Sequence, residues 1–289
     1  MAFDLSSIAS TRSQPKPPRI VLYGPPGVGK TTFAACMPSP IILPTEDGLT
    51  SLDALPFDVP SFPVAKTFDD VMSALGSLYE GGHEFKTLVV DSVDWLEPLI
   101  WAETCRRQKW VNIEQPGYGR GYQEAMTLWH DYFDALALLR NDRGMAIIQI
   151  GHSLIKRHDA PDAEPYDRYQ LKLQQRASDK LTEAVDMVLF GNFKSFTTET
   201  EVGFNKKVRR GIGTGQRVLY TEERPAFMAK NRHALPAELP FTWEALSEAM
   251  QSRAAKPPAV EQPQETPSGA AATTTETAPE GEEAQAEAA

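Results

Sequence analysis

The chain has 289 residues, a formal net charge of −10, and 41% hydrophobic against 24% charged content, enough apolar material for a sizeable core in one large domain or two small ones. No stretch approaches the roughly 18 consecutive apolar residues of a membrane span, and the opening MAFDLSS lacks the basic-then-apolar layout of a secretory signal, so a cytoplasmic protein with no membrane partner is expected. Two cysteines, Cys36 and Cys105, are too few for a disulfide framework and lack metal-ligand spacing.

The charge is unevenly spread. Residues 257–289 hold seven glutamates and no Lys or Arg, leaving the first 256 residues at only −3, so a local basic groove is compatible with the acidic total. The organisation expected is a flexible lead-in over 1–16, a folded core over 17–252, and an acidic tail over 253–289. The tail is too poor in apolar residues to order itself.

In chain order, the first apolar run is RIVLY, followed at once by GPPGVGKTT and a short helical segment. Gly24, Gly29, Lys30 and Thr31 fit the phosphate-loop pattern, with Pro25, Pro26, Gly27, Val28 and Thr32 completing it. Glycines let the backbone turn its N–H groups toward phosphate oxygens. Lys30 is expected to reach the β and γ phosphates of ATP, and the Thr31 hydroxyl to ligate Mg²⁺.

The next run, PIILP, leads into Thr45 and Glu46. If its strand neighbours the phosphate-loop strand, the Glu46 carboxylate stands where it can orient or deprotonate water. The third run, TLVVD, ends on Asp91, placed to hold Mg²⁺ through water; Ser92 follows it, where many AAA+ proteins carry a glutamate. A long helix over EAMTLWHDYFDALALLR puts Leu128, Trp129, Tyr132, Phe133, Leu136 and Leu139 on one stripe, which is packing surface. MAIIQI gives a fourth strand. Four apolar runs without period-two alternation, separated by helical stretches, predict an α/β fold with a mostly parallel sheet flanked by helices. Glycine-punctuated β-prone pieces between Val185 and Phe227 predict an antiparallel extension.

The order GPPGVGKTT, TED, VVDS resembles the RecA-type recombinase core, a P-loop NTPase fold, and more closely the compact phage ATP-binding proteins of the Sak single-strand annealing group. The resemblance spans roughly residues 17–250. It implies an ATPase acting on single-stranded DNA in phage recombination or replication, with Glu46 as the catalytic glutamate that orients or deprotonates water. His152, after the fourth strand, takes the place of the family's polar γ-phosphate sensor, usually glutamine. Lys230 and Arg232 in AKNRHALP match the two basic residues that reach a neighbouring subunit's nucleotide, which implies a filament or ring.

The same resemblance points to two DNA-facing loops. The first holds Arg106, Arg107, Lys109, Trp110, Tyr118, Arg120 and Tyr122. The second, about Ser153 to Arg176, holds Lys156, Arg157, Arg168, Tyr169, Lys172 and Arg176. Basic side chains neutralise phosphates, and interleaved aromatics stack on unpaired bases. The implied partners are single-stranded DNA, further copies of the chain, and a single-strand DNA-binding protein; a phage-encoded chain would work in the host cytoplasm. The rival readings are an AAA+ type remodeller or helicase loader acting on a protein partner, a small-molecule kinase, and a nucleotide-binding scaffold without turnover.

Overall fold

A computed structural model describes residues 16–159, 164–201 and 207–255. Residues 1–15 of the expected lead-in and 256–289 of the expected tail lie outside them.

Nine strands form one sheet. Five run parallel, in the spatial order β2 (Pro40–Pro44), β3 (Thr87–Asp91), β4 (Ala146–His158), β1 (Arg19–Gly24), β6 (Met187–Glu201). Then β7 (Lys207–Tyr220) pairs antiparallel with β6, and β9 (Glu238–Pro240) antiparallel with β7. Short strands β5 (Tyr166–Leu171) and β8 (Lys230–Asn231) pair with β4 and β6 respectively.

The apolar runs are continuous because both faces of the parallel sheet are covered. Val21, Tyr23, Leu88, Val90 and Ile147 point to one layer, built by α2 (Phe68–Glu80), α3 (Val93–Gln108), α4 (Arg120–Asp142) and α5 (Gln175–Ala184). Their neighbours in sequence, Ile20, Leu22, Val89, Ile148 and Ile150, point to the other, where α1 (Lys30–Ala35) and α6 (Trp243–Ala255) pack. In α4 the predicted stripe is the buried face: Trp129 and Tyr132 are almost wholly enclosed and meet edge-on, and Trp129 stacks with Phe133. The Tyr132 hydroxyl donates to Gln149 Oε1 at 2.8 Å, satisfying a polar group in the middle of the sheet.

Two expectations need correction. The strand carrying Glu46 is not next to the phosphate-loop strand, since β3 and β4 stand between β2 and β1. And the second expected loop is largely strand: β4 runs on to His158 and turns back through β5, pairing Ser153 with Leu171 out to His158 with Tyr166. Both flanks, SLIKRH and YDRYQL, carry β-branched and aromatic residues among their charges, and ladder hydrogen bonds hold this exposed arm.

Candidate nucleotide site

Strand β1 ends at Gly24 and the chain turns through the phosphate loop into α1. Gly27 and Gly29 both sit at positive φ, +75° and +97°, which side chains with a Cβ rarely adopt. The loop lines a cavity of about 420 Å³ together with Glu46, Asp91 and His152, and Arg217 of β7 lines it too. Gly24, Pro25 and Val28 support the loop from behind: Lys30 Nζ donates to the carbonyls of Gly24 and Pro25, 3.1 Å each, and Val28 is buried. Pro26 and Thr32 face the cavity.

Glu46 reaches the cavity from two strands away because the β2–β3 ladder extends beyond the strands proper. Thr45 N donates to Asp91 O at 2.8 Å, Thr45 Oγ1 donates to Ser92 O at 2.7 Å, and the Ser92 N–H donates back to Thr45 Oγ1 at 2.8 Å. That brings Glu46 beside Ser92, whose hydroxyl donates to Glu46 Oε1 at 2.7 Å. Beside them, Thr31 Oγ1 donates to Asp91 Oδ2 at 2.6 Å.

His152 lies on the central strand β4, level with Gly24 of β1, with its N–H and Nδ1 directed at Asp94. The Nδ1 distances to the two carboxylate oxygens are 3.0 and 3.2 Å, and Glu46 Oε1 is 4.0 Å away. Committing Nδ1 to Asp94 leaves Nε2 as the nitrogen open to a phosphate. Burial works to raise the Asp94 carboxyl, but the hydrogen bonds from His152 outweigh it and hold it below its ordinary value.

Burial disfavours the charged forms of both Lys30 and Asp91. Burial pushes the Lys30 ammonium below its usual range, against the pull of Asp91, Asp94 and Glu46. Burial pushes the Asp91 carboxyl up, helped by Glu46 and opposed by Thr31 and Lys30. A polyphosphate beside Lys30 and a divalent cation beside Asp91 would relieve both, which is the fit expected of nucleotide with Mg²⁺. Among the described residues no cluster of three His, Cys, Asp or Glu could hold a metal by itself. Such an ion would rest on Thr31, Asp91 and phosphate oxygens, a donor set typical of Mg²⁺.

The remaining expected residues do not join the cavity. Lys230 Nζ donates to the carbonyls of Thr182, Glu183 and Val185, capping the end of α5, while Arg232 keeps 55% of its side chain exposed near Asp186. Both stand by Asp186, which precedes β6 at the sheet edge opposite the phosphate loop. Arg106 and Arg107 both grip Glu103, drawing its carboxyl down to about 2 through the Arg106 hydrogen bond above all. Their side chains are nonetheless half or more exposed. Lys109, Tyr118 and Arg120 are exposed, and Trp110 partly so.

Three of the DNA candidates point inward: Tyr169 packs on Phe190 of the core, and the other two are Tyr122 and Arg168. Tyr122 packs edge-on against Trp101 and donates to Glu114, and Arg168 is buried, bonded to Glu223 and to Phe227 O. Lys156 and Arg157 project from the β4 arm; Lys172 and Arg176 are exposed at its base, with Lys172 Nζ 4.0 Å from Asp94.

Sequence reasoning missed Arg217, Asp94 and the bonding role of Ser92. Asp94 had a local signal, an acid in the first turn of the helix that follows Asp91. Arg217 had none, because it meets the loop 189 residues away along the chain.

A phosphate loop, a strand-end aspartate and a facing carboxylate on a mostly parallel sheet define a P-loop nucleotide-binding domain of ATPase type. A family model described as an AAA domain matches residues 16–233, about three quarters of the sequence, and the chain belongs to that family. No curated protein matches the chain. Among the described residues no helix is long and apolar enough to cross a membrane.

Proposed function

We propose that the protein is a Mg²⁺-dependent ATPase whose nucleotide state controls its hold on single-stranded DNA, in the manner implied by its resemblance to RecA-type and Sak-group proteins. One observation carries the coupling: β4 bears His152 at the cavity and continues unbroken into the exposed arm that carries Lys156 and Arg157. The His152–Asp94–Lys172 chain ties the arm's return strand to the same place. A change at the terminal phosphate would reach Lys156 and Arg157 along one continuous strand.

In this reading, loop amides and Lys30 bind the phosphates, and Thr31 and Asp91 would hold Mg²⁺, whose charge would offset that of the phosphate oxygens. Glu46, held by Ser92, orients the attacking water and receives its proton, while His152 contacts the terminal phosphate. Water oxygen bonds to the γ-phosphorus as the bond to the bridging oxygen breaks, giving ADP and phosphate. Of the two basic residues assigned to a neighbouring subunit's nucleotide, Arg232 suits that role better, since the Lys230 ammonium already has three carbonyl acceptors.

The test is anisotropy of a labelled single-stranded oligonucleotide with ATP, ADP or no nucleotide. ATP should tighten binding about tenfold, and Lys156→Ala with Arg157→Ala should remove most of it and flatten the salt dependence. Binding that ignores nucleotide would leave the second reading, a remodeller or helicase loader acting on protein, which the AAA-domain family membership favours.

A further inference from the structure

We infer that Arg217 is a phosphate-binding residue supplied in cis, a second cation that the antiparallel extension places over the loop. The inference rests on the nucleotide-binding reading of the cavity and extends it to a residue outside the loop motif.

Arg217 lies on β7, directly across from Phe193 of β6. Its side chain leaves the sheet toward the loop, where Nη1 donates to Val28 O at 3.4 Å and the guanidinium lines the same cavity as Lys30, Thr31 and Asp91. A Cβ added at Gly29 would come within 2.6 Å of Nη1, so the guanidinium rests against the last glycine of the loop.

Val28 O is the one acceptor that Arg217 has among the described residues, and no carboxylate neutralises it. A guanidinium presents five N–H donors in a fixed fork suited to phosphate oxygens. Most of those donors stand unused at the mouth of a polar cavity. Lys30, by contrast, is buried and bonded to loop carbonyls. The two cations thus approach the cavity from different sides: Lys30 from within the loop, Arg217 from the strand extension. The arrangement also makes the extension part of the nucleotide site, so its placement affects phosphate binding directly.

The experiment measures displacement of a fluorescent ATP analogue by ATP and, separately, by inorganic tripolyphosphate, for the full chain and for Arg217→Ala, Arg217→Gln and Arg217→Lys. Melting temperatures confirm that the variants fold. Arg217→Ala and Arg217→Gln should weaken both competitors about tenfold or more, and Arg217→Lys should recover part of the loss. If both variants bind both competitors within twofold of wild type, Arg217 is not a phosphate ligand although the nucleotide site stands. If ATP weakens and tripolyphosphate does not, Arg217 serves the nucleoside instead, and the assignment is wrong. Failure of the wild-type chain to bind ATP at all would overturn this inference together with the nucleotide reading beneath it.

Discussion

The Ser92 hydroxyl donates a 2.7 Å hydrogen bond to Glu46 Oε1, joining the residue after Asp91 to an acid on the adjacent strand. Ser92 thus occupies the position where an AAA+ protein carries its glutamate and instead holds a carboxylate delivered by β2. The bond holds one oxygen of Glu46, a residue that lines the cavity. Ser92→Ala should therefore lower phosphate release about tenfold, the rate equivalent of one hydrogen bond of about 1.4 kcal/mol, with ATP affinity within twofold. Turnover and equilibrium binding on the same preparation check it; unchanged turnover would mean Glu46 needs no help.

Lys30 is buried and held between two loop carbonyls, and burial pushes its ammonium below the usual range. Lys30→Ala should cost at least a hundredfold in ATP affinity, about 3 kcal/mol for a charge-assisted contact, while circular dichroism and the melting temperature stay near wild type. Affinity retained in that variant would remove the loop's lysine from phosphate binding.

Glu97 gives a pH signature independent of turnover. It is buried, accepts the Gln174 N–H with both oxygens, and is pushed up to about 7 by burial first, with the Asp94 charge adding to it. Below about pH 4.5 it is protonated in folded and unfolded chains alike, and its contribution to stability is fully present. As the pH rises toward about 7 the unfolded chain ionises first, and the contribution is lost. Glu97→Gln should flatten this dependence, gaining on the order of 3 kcal/mol, or several degrees of melting temperature, relative to wild type between pH 4.5 and 7.5. Parallel melting curves for the two proteins at both ends of the range provide the check.

What was legible in the sequence follows from how local each signal is. The phosphate loop and Asp91 are stretches whose residues meet their partners within one strand–loop–helix unit, so spacing alone places them. The sheet and its antiparallel extension follow from uninterrupted apolar runs and from glycine-broken β pieces. Glu46 reaches the cavity, but by a route that sequence does not display: pairing of Thr45 with Asp91 and Ser92 across β2 and β3, with two strands between Glu46 and the loop strand. The β4–β5 arm read as loop because its charges mask its β-forming residues. Tyr122 and Arg168 carry DNA-like chemistry yet are taken up by Trp101, Glu114, Glu223 and Phe227, contacts fixed only by tertiary packing.

The most direct test is Glu46→Gln, which keeps the shape and the Ser92 contact and removes the charge that would accept a proton from water. ATP and Mg²⁺ should bind with affinity within a few-fold of wild type while phosphate release falls at least about a hundredfold. Release at the wild-type rate would show that the acid on β2 does not activate water and that the cavity only holds nucleotide.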